Sequence, residues 1–351
     1  MENISLNEKI NDLVVRMAKE PKNVELYHEL SELYMQQQDY DKVMNVLDSL
    51  LAIKPDDVQA LVGMGTMWFY ERDFRKSLSY FNKALEINPK NYLIYFNIGN
   101  VFAEWKNFSK ALFYYNRAID LNSVNPDIYN AIALLYQDIE DYVEAKAYYE
   151  KALSLDPENC NSLIDMGNVC FKLNDYETAL KLFKKVFVLH PDNELVAVCI
   201  ANALTLMKDS KQAYTYYEKA LTMTDDKYKI YICYAISLTE FKEYDRAEEM
   251  FKTAIAFDSQ SANAIVLLAN FYSSFNRVPE AIELYKQALR VQPNNAETYM
   301  LLGNAHYLNN DIEQSIQSYK SSIGLAPDND EYRLIYSQVV EDYVKSVHGV
   351  A

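Results

Sequence analysis

Five asparagines, Asn100, Asn168, Asn202, Asn270 and Asn304, stand apart by multiples of 34 residues. A carboxamide carries two N–H donors and a carbonyl acceptor on one short arm. Repeated in register on one face, such groups suit the backbone of an extended peptide, which offers the matching acceptors and donors. They do not suit bond-breaking chemistry, because an amide neither titrates nor attacks. The residue types that do are scattered: the four histidines, His28, His190, His306 and His348, lie far apart. No nucleophile–base spacing, phosphate loop or zinc-helix motif occurs. The four cysteines, Cys160, Cys170, Cys199 and Cys233, form no CxxC pair and no disulfide framework. Cys199 and Cys233 read as small apolar fillers on adjacent helices. The expectation is a non-enzymatic protein with no cofactor and no metal.

Composition narrows the partners. The chain of 351 residues has 34 Lys plus Arg against 50 Asp plus Glu, a formal charge of −16. Such an excess repels phosphate backbones, which argues against nucleic acid and anionic membrane surfaces. An apolar fraction of 50% is ample for a folded core. No stretch approaches the roughly 18 consecutive apolar residues of a membrane span, so membrane insertion is not expected. The opening residues, MENISLNEKIN, lack the cationic start and apolar core of a secretory signal. With unpaired cysteines, this points to a reducing, cytoplasmic setting.

The elements that must position the asparagines follow from the same period of 34. Gly65, Gly99, Gly167 and Gly303 fall on one frame, filled elsewhere by Ser31, Ala133, Ala201, Ala235 and Ala269. Pro21, Pro55, Pro89, Pro157, Pro191, Pro293 and Pro327 share a second frame. A third holds Leu47, Phe81, Tyr115, Tyr149, Phe183, Tyr217, Phe251, Tyr285 and Tyr319. A period this regular means stacked units, each too small to bury its own apolar face. Within a unit the spacing predicts two helices. Tyr95, Ile98, Gly99 and Phe102 make one helical face, and Phe108, Ala111, Tyr115 and Ala118 make the next. Caps agree: Asp57, Asn91, Asn125, Asn159, Asn193, Ser261 and Asn295 precede first helices. Asp39, Asp73, Asn107, Asp141, Asp175, Asp209 and Asp311 precede second ones.

This pattern resembles the tetratricopeptide (TPR) repeat, whose 34-residue signature runs Trp-x2-Leu-Gly-x2-Tyr, Ala-x3-Phe, Ala and Pro. The stretch 160–193 matches with Leu163, Met166, Gly167, Cys170, Ala179, Phe183, Val186 and Pro191. The stretch 126–159 matches with Tyr129, Ile132, Ala133, Tyr136, Ala145, Tyr149, Ala152 and Pro157. Departures are local, such as Leu204, Leu238 and His306 in place of the first-helix tyrosine. The resemblance implies an all-α fold, an α-solenoid wound as a right-handed superhelix. Nine repeats are expected, at 24–57, 58–91, 92–125, 126–159, 160–193, 194–227, 228–261, 262–295 and 296–329. Residues 1–23 and 330–351 are expected to form an N-terminal capping helix and a C-terminal capping helix with a tail. The C-terminal stripe is Tyr332, Ile335, Tyr336, Val339, Val340, Tyr343, Val344 and Val347, with charged residues opposite.

In this family the first helices line a concave groove that binds ligands, and helical spacing aims four positions of each repeat there. The fifth position gives Phe96, Asn130, Ile164, Val198, Ile232 and Val266, mostly apolar. Asn97 at the sixth, the five asparagines at the ninth and Phe171 at the twelfth complete the candidate ligand residues. No lysine occupies the fifth position, so a clamp for acidic tails is disfavoured. The groove instead fits a protein or peptide with apolar side chains. The expected function is therefore a protein–protein interaction scaffold, a monomer with homo-oligomerisation through the terminal helices as the lesser option. Two other readings are a self-assembling structural oligomer and the targeting repeat region of a multi-component enzyme such as a glycosyltransferase.

Overall fold

The computed structural model describes residues 6–348, with side chains described as far as Val344. Residues 1–5 and 349–351 of the expected end caps, and Val347 of the apolar stripe, lie outside the described residues and side chains. All regular structure among the described residues is α-helical, in 20 helices. They form two compact units, Met1–Asp175 and Tyr176–Ala351.

The first unit contains α1 (Leu6–Lys19), α2 (Val24–Gln36), α3 (Tyr40–Ile53), α4 (Val58–Tyr70) and α5 (Phe74–Ile87). It continues through α6 (Tyr92–Glu104), α7 (Phe108–Leu121), α8 (Pro126–Asp138), α9 (Tyr142–Leu155) and α10 (Cys160–Lys172). Four hairpins, α2–α3, α4–α5, α6–α7 and α8–α9, stack side by side, with α1 on α2 and α10 on α9. Ile10 and Leu13 of α1 are buried against Leu26 and Leu30.

The second unit contains α11 (Tyr176–Leu189), α12 (Glu194–Leu206), α13 (Ser210–Met223), α14 (Tyr228–Glu240) and α15 (Tyr244–Phe257). It ends with α16 (Ala262–Ser274), α17 (Val278–Val291), α18 (Ala296–Leu308), α19 (Ile312–Leu325) and α20 (Asp330–His348). Here too four hairpins stack, α12–α13 to α18–α19, flanked by α11 and α20. Tyr332, Ile335, Tyr336 and Val339 of α20 pack on Met300 and Tyr319.

Local chemistry fixes these helices. Side chains of Asp57, Asn91, Asn125, Asn159, Asn193, Ser261 and Asn295 each accept a bond from a backbone N–H in the first turn they precede. Asp39, Asp73, Asn107, Asp141 and Asp209 do the same for second helices. Asp311 does not. Its carboxylate turns instead to the Asn309 amide, at 2.6 Å, and to His306.

Within a hairpin the helices touch where the small residue of the first meets the ring of the second. A Cβ added at Gly65 would lie 2.6 Å from the Phe81 ring, and one at Gly99 or Gly303 would lie 2.5 Å from Tyr115 or Tyr319. Ser77 and Ser315 add buried hydroxyl bonds to the Gly65 and Gly303 carbonyls, at 2.7 and 2.9 Å. First helices are also tied to the loops before them: the hydroxyls of Tyr27, Tyr95 and Tyr129 donate to the carbonyls of Pro21, Pro89 and Ser123.

The turn inside each of the eight hairpins, and the turn that follows α10, has one residue in the left-handed conformation, and none of them is glycine. Gln38, Arg72, Lys106, Glu140, Asn174, Lys208, Lys242, Asn276 and Asn310 have φ between 56 and 64°. Asparagine tolerates this region, whereas a longer side chain is strained there by roughly 1–2 kcal/mol. Gly would relieve that strain but adds freedom to the unfolded chain, so the two effects partly cancel. We expect Glu140→Gly to stabilise the first unit by about 0.5–1 kcal/mol. A rise in the urea midpoint, with helicity unchanged, is the corresponding observation; a fall would show that the turn is not strained.

His306 marks a second local tension. Its ring is buried, its Nδ1 lacks a hydrogen-bond partner, and the Asp311 carboxylate stands 3.5 Å away. Burial holds its pKa below the ordinary histidine value, against the pull of Asp311. The unfolded chain therefore binds a proton that the folded one resists once pH falls below about 6.5. Stability should fall on acidification from neutral pH towards pH 5.5, by at most about 1.4 kcal/mol per pH unit for this one group. Leucine stands at the same frame in Leu204 and Leu238, both buried. His306→Leu should flatten that pH dependence, read as the difference in urea midpoint between variant and parent at the two pH values. Parallel pH profiles would refute the assignment.

Candidate functional site

The asparagine frame carries a device that helical spacing does not announce. The hydroxyl of Tyr115 donates to Asn100 Oδ1 at 2.7 Å, and that of Tyr319 to Asn304 Oδ1 at 2.7 Å. Tyr217 and Tyr285 do the same to Asn202 and Asn270, each at 2.6 Å. The four tyrosine bodies are buried second-helix core residues, so each phenol is held in place by packing. Burial also raises their pKa values, that of Tyr285 to about 12, which keeps the hydroxyl protonated as a donor. Each phenol thus takes one lone pair of the amide carbonyl and fixes the amide plane. The face then presents oriented N–H donors, where the bare sequence suggested donor and acceptor together.

The sequence carries a signal for it: tyrosine stands 15 residues after four of the five asparagines. Asn168 is the exception, because position 183 is phenylalanine and offers no hydroxyl. Asn168 is exposed on α10. Where the ninth position is Leu134, the Tyr149 hydroxyl turns to Gln137 Oε1 instead, at 3.3 Å.

In the first unit the remaining candidates divide. Phe96 is half-buried and its ring packs 5.8 Å from that of Tyr115. Asn97, Ile164 and Phe171 are half-buried. Asn130 accepts from the Ser162 hydroxyl at 2.9 Å, which ties α8 to α10. Between α4, α6 and α8 lies a hollow of about 320 Å³. Phe69, Leu134 and Leu135 supply apolar lining, Asn100 and Tyr115 supply polar groups, and Glu104 and Asp138 are also part of the wall. Leu134 is 47% exposed.

In the second unit Val198 and Val266 are half-buried, and Asn270 and Asn304 are exposed. Ile232 departs from its expected place in the groove. It is 7% exposed and packs with Ala254 and Ala264, so it belongs to the core. The neighbouring Ile236, at the ninth position, is exposed in its stead. A one-turn step along a helix keeps the same stripe but not the same depth, and the depth depends on the adjoining hairpin.

All four cysteines are free thiols, and burial pushes those of Cys170 and Cys199 up to about 11, away from the reactive thiolate. Among the described residues no three His, Cys, Asp or Glu side chains are grouped to hold a metal ion. No helix among them is long and apolar enough to cross a membrane.

Family models for the tetratricopeptide repeat match residues 15–64, 92–124, 126–187, 200–227 and 296–329, and a TPR repeat model matches 272–310. A Sel1 repeat model matches 53–88. No curated protein sequence matches the chain. Among solved structures, yeast Tom70 is similar over 97% of this chain and 93% of its own, at 16% identity and a TM-score of 0.57. A tetratricopeptide repeat protein from Parabacteroides merdae matches 71% of this chain and 98% of its own, at 19% identity and a TM-score of 0.49. At 16% identity the likeness to Tom70 concerns the fold.

Proposed function

The chain belongs to the tetratricopeptide-repeat family, a family of protein–protein interaction modules, and from that premise we propose a non-enzymatic scaffold that captures an extended peptide or protein segment on its first-helix faces. The observation that carries this reading is the set of asparagine amides whose carbonyls are held by tyrosine hydroxyls in both units. Fixed N–H donors spaced by whole repeats can bond peptide carbonyls several residues apart without first being ordered, which lowers the entropic cost of binding. Apolar side chains beside them, such as Leu134 in the first unit and Ile236 in the second, give the guest's side chains a surface to cover. An aqueous, cytoplasmic setting fits such a role.

The test separates first-helix faces from second-helix faces. Peptides selected from a random library against the full chain should lose at least about tenfold in affinity with Leu134→Arg or Ile236→Arg. Both positions are exposed, so the folded state tolerates the change. Phe113→Arg, on the exposed part of a second helix, should leave affinity unaltered. Selected peptides that respond to Phe113→Arg and ignore both first-helix changes would overturn the proposal.

A further inference from the structure

The hollow between α4, α6 and α8 has a chemistry narrower than the face as a whole. Phe69 and Leu134 give it an apolar floor, Asn100 gives it an oriented amide, and Glu104 and Asp138 give it carboxylates. No cation lines it. The two carboxylates occupy the same register on neighbouring first helices, 34 residues apart in sequence. From these features we infer that the first unit selects an extended segment carrying an apolar anchor between two basic residues. This rests on the binding-face reading above and adds the partner's charge and pattern to it.

The carboxylates have partners already, and the kind of partner matters. Glu104 pairs with Arg72 at 3.6 Å and Asp138 with Lys106 at 3.0 Å, and all four side chains are more than half exposed. Exposed pairs of this kind contribute about 0–1 kcal/mol, so a guest cation can take over either carboxylate at little cost. The host's own Arg72 or Lys106 then returns to water. An acidic guest could reach only Arg72 and Lys106, which the adjacent Glu104 and Asp138 already neutralise, and it would approach against the field of a chain with formal charge −16. Pattern follows from distance. Packed helices lie about 8–10 Å apart, and an extended chain advances about 3.3–3.6 Å per residue. Basic residues about three apart can therefore reach both carboxylates while the residues between them cover Phe69 and Leu134. The peptide carbonyls between them face the Asn100 amide.

The probe is a fluorescein-labelled peptide with the core Arg-Leu-Leu-Arg flanked by Gly and Ser, titrated into the full chain and followed by anisotropy at physiological ionic strength. Its counterparts carry Glu-Leu-Leu-Glu and Arg-Ser-Ser-Arg cores. The first peptide should bind at least about tenfold more tightly than either. Glu104→Gln combined with Asp138→Asn should weaken it about tenfold. Asp48→Asn combined with Glu86→Gln removes two exposed charges from second helices and should change it less than about threefold. Equal binding of the Glu-Leu-Leu-Glu peptide, equal loss in the two double variants, or no binding of the basic peptide would each overturn the inference. Leu134→Arg distinguishes the levels. If it abolishes binding of an acidic or neutral peptide, the face reading stands and the charge preference falls. If every peptide that binds ignores it, the face reading falls in this unit as well.

Discussion

Gly99→Leu should destabilise the first unit by about 3 kcal/mol or more, the upper range for overpacking a core. An added Cβ at this position would lie 2.5 Å from both Cδ1 and Cε1 of Tyr115, well inside van der Waals contact. The ring cannot swing away. It is 2% exposed, and its hydroxyl is bonded to Asn100. Leucine adds three further carbons where the first has no room, so the pair α6–α7 must separate. Alanine is a different case. Ala133 stands on the same frame before Tyr149, and Ala201 before Tyr217, all four buried. Hairpins of this family therefore accommodate one methyl group by a small parting of the helices. Alanine also gains about 1 kcal/mol of helix propensity over glycine. Gly99→Ala should fall within about 1 kcal/mol of the parent. Urea denaturation followed by circular dichroism measures both. Because neighbouring repeats stabilise one another pairwise, the leucine variant should also broaden the transition as the first unit melts early. A leucine variant as stable as the parent would mean that the close approach at Gly99 is not a constraint.

The second expectation concerns Tyr285 and separates bulk from hydroxyl. Tyr285→Ala removes a ring that is 2% exposed between α16 and α17 and should cost about 3–5 kcal/mol. Tyr285→Phe keeps the ring and removes only the bond to Asn270 Oδ1 of 2.6 Å. It should cost about 1 kcal/mol. The fold accepts phenylalanine on this frame, as buried Phe81, Phe183 and Phe251 show. The two variants should therefore diverge in function as well as in stability. With Phe, helicity is retained but the Asn270 amide can rotate, so a peptide bound on the second unit should dissociate faster. If Tyr285→Phe leaves such a peptide's affinity unchanged while Ile236→Arg abolishes it, the tyrosine serves packing alone.

The helical hairpins were legible in the sequence because their determinants are local. A cap acts on an N–H two or three residues away, and an apolar stripe repeats within one or two turns. Asn91, Asp141 and their counterparts needed only their immediate neighbours to be read, and the structure bears them out. The repetition of 34 residues added the long-range order that a single helix cannot declare. Three features lay beyond that reading. Tyrosine hydroxyls reach asparagine carbonyls 15 residues back, across the gap between two helices, and the gap is set by residues such as Gly99 and Gly303. Ile232 shares its register with half-buried Val198 and Val266, yet it is closed over by Ala254 and Ala264. Asp311 has the residue type of a cap, but the amide of Asn309 draws its carboxylate away. Helical register by itself determined which face each side chain occupies, and tertiary packing alone decided how deep it lies and which of its polar atoms stay open to a ligand. Register depends on backbone geometry, which every repeat shares, whereas depth and hydrogen bonding depend on the neighbours' size and chemistry, which vary from repeat to repeat.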